Sequence, residues 1–192
     1  MENKYYESID FQNHRTNICN ILERIPFAQS PKHWVYKNNF PISGFECFGF
    51  SETSDILFVA SSQGRSLIDM SKNKKIARDY SDDYTIDETL LTCDGFDVLE
   101  GQQIKLASKY GGSMLPISNK SYETLVKVSP LYPCEDLIFQ SPYENCFIEK
   151  NNKNCIRIYR GFLYCYGFSF SGNYFVIADD GGISYWESKR TL

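Results

Sequence analysis

The 192-residue sequence predicts an all-β protein made of repeated antiparallel meanders, and two observations carry that expectation. The first is composition: Phe and Tyr, at 14 each, dominate an aromatic fraction of 16%, and both side chains favour the pleated, half-buried surface of a sheet. The second is self-similarity. With a shift of 118 residues and no gap, CFGFSETSDILFVASSQGRSLID (47–69) lies over CYGFSFSGNYFVIADDGGISYWE (165–187), and seven of the 23 positions are identical. Two stretches so alike fold alike, and repetition on this scale belongs to a repeat array or propeller rather than to a doubly wound fold.

Taken in chain order, residues 1–44 form an N-terminal segment outside the repeat. Within it TNICNILERI places Ile18, Ile21, Leu22 and Ile25 on one helix face, with Thr16 as a cap. The same stretch also reads as strands, since Leu22-Glu23 followed by Ile25 echoes a pattern of the later copies. HWVYKN (33–38) follows as a candidate strand. The repeat then occupies 45–192 in copies at 45–80, 84–108, 125–159 and 163–192, together one domain. Each copy carries an apolar residue before an acid: Ile68-Asp69, Leu99-Glu100, Ile148-Glu149 and Trp186-Glu187. Turn residues recur at matching places, as Gln63-Gly64, Asp94-Gly95, Glu144-Asn145 and Asp180-Gly181-Gly182, where hairpins require positive φ. A copy therefore reads as a four-stranded meander. The last copy stops after its third strand, and HWVYKN is the candidate to complete it, because an unpaired sheet edge invites association.

FSFSGNYFVIADDGGISYWES resembles the blade consensus of WD-repeat and related β-propellers, in which a Phe-Ser turn leads into an alanine-containing strand, a glycine hairpin and a strand ending in Trp-Asp. Trp186-Glu187 stands where that dipeptide would be, and Ile68-Asp69 is a weakened version. The histidine that usually opens such a blade is missing, since the chain has only His14 and His33. The resemblance is thus to a divergent propeller and covers about residues 45–192. It implies a small β-propeller of four or five blades, closed by the N-terminal segment.

Charge and motifs narrow the function classes. The net charge is −4, with Lys and Arg scattered rather than arranged in a stripe, which argues against nucleic acid or an anionic membrane as partner. The basic groups at Lys72–Lys75 and Lys189-Arg190 read as a solvated turn and tail. No segment approaches the length of an apolar membrane span and no signal peptide opens the chain, so a cytoplasmic protein is expected. Seven cysteines, none at zinc-knuckle spacing, suit a reducing compartment, and most lie in apolar runs as small core residues. Two histidines, both near the N-terminus, leave a Cys or Ser nucleophile without a nearby base. Asp94, Asp97 and Glu100 lack the spacing of a calcium loop, and the glycine pairs at 111–112 and 181–182 lack the Lys-Ser/Thr of a phosphate loop. No metal, cofactor or catalytic residue is expected.

What the repeat supplies is a face. The propeller resemblance implies that hairpins and inter-blade links emerge together, collecting Tyr80, Asp82, Asp83, Tyr84, Asp94, Tyr110, Tyr143, Glu144, Tyr159, Arg160, Asp179 and Asp180. An acidic, tyrosine-rich surface suits a protein partner with a basic patch, as in a small bacterial immunity or adaptor protein. The alternative is a small-ligand or sugar site between blades, lined by Trp34, Tyr164, Tyr166 and Trp186.

Overall fold

The computed structural model describes residues 9–81, 83–131 and 133–190. One helix, α1 (Ile9–Glu23), precedes the strands β1 (Trp34–Phe40), β2 (Phe45–Phe50), β3 (Ile56–Ser61), β4 (Gly64–Asp69), β5 (Lys74–Asp79), β6 (Ile86–Asp87), β7 (Thr92–Asp94), β8 (Gln103–Lys105), β9 (Ala107–Ser108), β10 (Thr124–Leu131), β11 (Cys134–Gln140), β12 (Ile156–Gly161), β13 (Leu163–Phe168), β14 (Tyr174–Asp179) and β15 (Gly182–Ser188). They form four antiparallel sheets, ordered β1-β15-β14-β13, β5-β4-β3-β2-β9, β6-β7-β8 and β10-β11-β12. Among the described residues the fold is all-β with a single α-helix. The described residues group into two compact units: those up to Pro31 with Tyr122–Gly161, and Lys32–Ser121 with the residues from Phe162 onward.

In the larger unit the sequence repeat is a repeat of register. β2 pairs with β3 through Phe45↔Ser61, then Cys47↔Ala60 to Phe50↔Leu57, and β13 pairs with β14 through Leu163↔Asp179, then Cys165↔Ala178 to Phe168↔Phe175. Every partner is displaced by the same 118 residues, including the bulge that leaves Glu46 in one copy and Tyr164 in the other outside the ladder. The hairpins β3-β4 and β14-β15 match equally, from Ile56↔Asp69 and Tyr174↔Glu187 inward to Ser61↔Gly64 and Asp179↔Gly182.

The missing strand of the last copy is β1. It pairs antiparallel with β15 from Trp34↔Ser188 to Phe40↔Ile183, skipping Lys37 between Tyr36↔Trp186 and Asn38↔Tyr185. β5 skips Ile76 between Ile68↔Lys75 and Leu67↔Ala77. Trp186 and Tyr185 correspond to Ile68 and Leu67 at the common shift, so β1 occupies the fourth-strand place with the same bulge. Trp34 is buried and packs its ring against Phe168 and Phe175, at centroid distances of 5.8 and 4.8 Å.

Sheet β2–β5 is covered on both faces, which is why ILFVAS reads as a continuous apolar run instead of an alternating one. One face packs Phe48, Leu57, Val59 and Ile68 with Val176, Ile183 and Tyr185; the other packs Cys47, Phe58 and Leu67 with Cys93, Ile104 and Leu106. Gly49 makes this closeness possible, because a Cβ there would stand 2.2 Å from the Lys105 carbonyl oxygen.

The two middle copies depart from the expected four-stranded meander. Where a third strand was expected, Asp97–Leu99 and Glu149–Asn151 form 3-10 turns, and β8 and β12 pair directly with β7 and β11. Local hydrogen bonds explain the change. Asp97, at φ 53°, accepts the Val98 amide on its own carboxylate, and Asn145 Oδ1 accepts the Phe147 amide. Asp and Asn that bond their neighbours' backbone offer the chain an alternative to a ladder. The apolar-acid pairs at 99–100 and 148–149 thus have no strand role, unlike Ile68-Asp69 and Trp186-Glu187. The end of the second copy, β9, joins β2 of the preceding copy.

In the smaller unit the N-terminal segment takes its helical reading. α1 buries Leu22, which with Ile18 and Ile25 packs on Val126, Val128, Ile138, Cys146 and Cys155. Thr16 is not its cap: it lies inside the helix and donates its hydroxyl to the Gln12 carbonyl at 2.8 Å, because the helix already extends back to Ile9. At the last turn the Leu22 carbonyl accepts the Ile25 amide at 3.0 Å and a second bond from the Arg157 side chain. Asp136, buried beside it, forms an ion pair with Arg157, its Nε 3.3 Å away, and accepts hydrogen bonds from the Arg160 fork at 2.7 and 2.9 Å.

Candidate functional site

A cleft in the larger unit has the clearest chemistry. β2 contributes Glu46, the turn after β6 contributes Glu88 and Leu91, and the turn after β9 contributes Tyr110 and Gly111. The cavity is about 590 Å³, with Ile86 and Leu106 as its apolar wall. A smaller hollow of about 340 Å³ shares Glu46 and Glu88 and reaches Tyr84. Both charged residues of this lining are carboxylates. The volume lies within the range of ligand pockets, roughly 300–1,000 Å³.

Each part of the cleft has a local cause. The β2 bulge releases Glu46 from the ladder, and its carbonyl is tied to the Lys109 amide at 3.0 Å. A bulge commonly serves to re-aim a side chain. Asp87 holds the turn that presents Glu88, accepting the Thr89 and Leu90 amides at 2.9 and 2.8 Å. Gly112, at φ 81°, fits under Leu91, where a Cβ would come within 2.5 Å of a leucine methyl. Tyr110 stands 82% exposed at the rim, with the Lys109 ammonium 4.9 Å from its ring centroid. Cys47 lies behind Glu46, where burial, reinforced by Cys93 and by the Glu46 charge, pushes the thiol up to about 12. It is a protonated wall of the site at neutral pH.

Among the residues assigned to the acidic face, Tyr84 and Tyr110 border this cleft. Tyr84 is half-buried under the Arg65 guanidinium, and the Asp94 carbonyl accepts from the same arginine at 3.3 Å. Asp83 is exposed nearby in sequence, and Asp82 lies outside the described residues. Tyr80 is exposed but lies against Arg78 in a basic pocket. Asp179 accepts the Gly181 amide at 2.8 Å, and Asp180 accepts the Tyr164 hydroxyl, which raises the phenol through that bond. Tyr143, Glu144, Tyr159 and Arg160 belong to the smaller unit. There Tyr143 is exposed and stacks loosely on Tyr122, Glu144 accepts from Asn154 at 2.7 Å, Tyr159 is half-buried, and Arg160 is held by Asp136.

The alternative aromatic pocket is filled by protein. Trp34 and Trp186 are 4% and 3% exposed, and the Trp186 ring stacks on Phe175 at 4.6 Å. Tyr164 stacks on Phe45 and Tyr166 is half-buried in β13. The two tryptophans are core, and the two tyrosines are half-buried.

Glu46 and Glu88 escaped sequence reasoning because neither belongs to a motif. Glu46 sits inside the apolar run FECFGF, and that lone charge was the one available signal. Among the described residues no group of His, Cys, Asp and Glu could hold a metal ion, and no helix is long and apolar enough to cross a membrane. No protein-family model matches the chain, and no curated protein matches it.

Proposed function

We propose that this chain is a cytosolic, non-enzymatic binding protein whose four sheets are the blades of a small divergent propeller, and that it holds a basic partner protein at the Glu46/Glu88 cleft. A Lys or Arg side chain of the partner enters between the two carboxylates, and Tyr84 and Tyr110 cover its aliphatic stem. The observation that carries this reading is the cleft itself: an apolar-walled cavity whose charged lining is two carboxylates, rimmed by an exposed tyrosine. Tyrosine buries much area at low entropic cost, and a desolvated charge pair contributes most where water is excluded. The seven free thiols support a reducing compartment. The repeated register of the two complete meanders, and the common bulge of β1 and β5, support the propeller reading.

The cavity volume favours one second reading, a small organic cation as the occupant. Affinity capture from the native cell under reducing conditions separates the two. A protein that co-purifies with the wild type and is lost from the Glu46→Gln/Glu88→Gln variant supports a protein partner. Capture undiminished in the variant removes the cleft from the interface.

A further inference from the structure

The Lys72–Lys75 cluster, expected as a solvated turn, divides by function. Lys72 caps its own turn, bonding Asp69 at 2.7 Å, while Lys75 sits on edge strand β5 three residues before Arg78. In a regular strand, residues three apart point to opposite faces. The bulge at Ile76 removes that alternation. Arg78 lies opposite Ser66 and Lys75 opposite Ile68, and Ser66 and Ile68 share a face of β4, so both cations project from one side of the sheet.

That side opens on a pocket of about 270 Å³, where Lys75 and Arg78 are joined by Ser43, Gln63 and Tyr80. Arg78 is fixed but not neutralised: its two terminal nitrogens donate at 2.7 Å to the Ser66 hydroxyl and the Gln63 carbonyl, both uncharged, and its guanidinium lies 4.8 Å from the Tyr80 ring centroid. Asp79, the next residue, pairs with Arg65 at 2.8 Å, opposite Arg65 in the ladder and away from the Arg78–Ser66 side. The Lys75 ammonium has no hydrogen bond or salt bridge among the described residues. Partial desolvation, and then the nearness of Arg78, lower its affinity for a proton. Among the described residues no carboxylate lines the pocket. Two cations held together without a counter-charge, at a bulge that puts them there, make an arrangement that an anion completes.

We propose that this pocket binds the phosphate group of a small phosphorylated ligand. Lys75 supplies a mobile point charge and Arg78 an immobilised one, with the Ser43 hydroxyl and the Gln63 amide as further donors. The volume falls below that of pockets enclosing whole ligands, so the head group sits inside and the remainder lies toward solvent.

Amide NMR shifts of the full chain, followed during titration with inorganic phosphate or glycerol phosphate at constant ionic strength, test this. Saturable shifts at Ser43, Gln63 and Arg78 are expected, weakened about ten-fold in Lys75→Gln, the loss of one charge-assisted hydrogen bond. Because Lys75 is exposed, the variant keeps the wild-type spectrum elsewhere. Linear, non-saturating drift, equal affinity in Lys75→Gln, or acetate binding as tightly as phosphate each overturns the assignment.

Discussion

Replacing Trp34 by alanine tests whether β1 is an integral strand of the last sheet. Trp34 is 4% exposed, and its ring meets Phe168 and Phe175 at 5.8 and 4.8 Å. Removing a buried tryptophan loses its transfer free energy and leaves a cavity that the neighbours fill only in part, at a cost of about 3–5 kcal/mol. The two aromatic contacts place Trp34→Ala in the upper half of that range. Urea unfolding followed through Trp186, which stacks on the same Phe175 at 4.6 Å, reads the change in the sheet concerned. The expected result is a lower midpoint with a similar slope, since the surface exposed on unfolding is nearly the same. Tyr110→Ala, at an 82% exposed position, serves as control and moves stability by less than about 0.5 kcal/mol. A loss below about 1 kcal/mol for Trp34→Ala would refute the packing of β1 on β14 and β15.

Two further outcomes follow from buried charges. Asp69 is drawn two ways: burial raises its pKa, but hydrogen bonds from Lys72 and Ser71 outweigh this and hold it at about 2 against an ordinary 3.8. A depressed carboxylate contributes stability that is complete above the unfolded pKa and is lost as pH falls through the folded one. Asp69→Asn should therefore flatten the stability profile between those two pH values and cost about 1–2 kcal/mol at neutral pH, allowing for screening of the exposed Lys72; an unchanged acid limb in thermal melts would count against it. In the smaller unit, Asp136→Ala strands the Arg157 side chain, 8% exposed, without its counter-charge. The expected loss is about 3–5 kcal/mol, with weaker amide protection across α1, and full retention of helix protection in hydrogen exchange would contradict the link through Arg157.

Much of the architecture was legible because it rests on periodic, non-local burial. The repeat at 47–69 and 165–187 reproduces strand pairing residue for residue, and the fourth-strand candidate at residues 33–38 overlaps β1, which runs from Trp34 to Phe40. The helix face at Ile18, Leu22 and Ile25 was one of two open readings of its stretch, the other being strands, and packing on Val126, Val128 and Ile138 decides for the helix. Local chemistry defeated the reading elsewhere. At Asp97 and Asn145 side chains bond the adjoining backbone and replace a strand with a 3-10 turn, though the apolar-acid pattern persists. Thr16 carries the chemistry of a cap yet lies inside a helix that begins earlier. The cleft was hidden for a different reason. Glu46, Glu88 and Tyr110 come from separate strands and turns, and bulges that shift Glu46 and Lys75 out of alternation leave no mark in composition or spacing.

The central claim is that Glu46 and Glu88 together receive a cationic side chain. Its most direct measurement is the affinity of the captured partner for wild type and for Glu46→Gln, Glu88→Gln and the double variant, across a salt series. Each single change should weaken binding about ten-fold or more, and the double variant should lose most of the salt dependence. Equal affinities and an unchanged salt slope in the double variant would contradict the account.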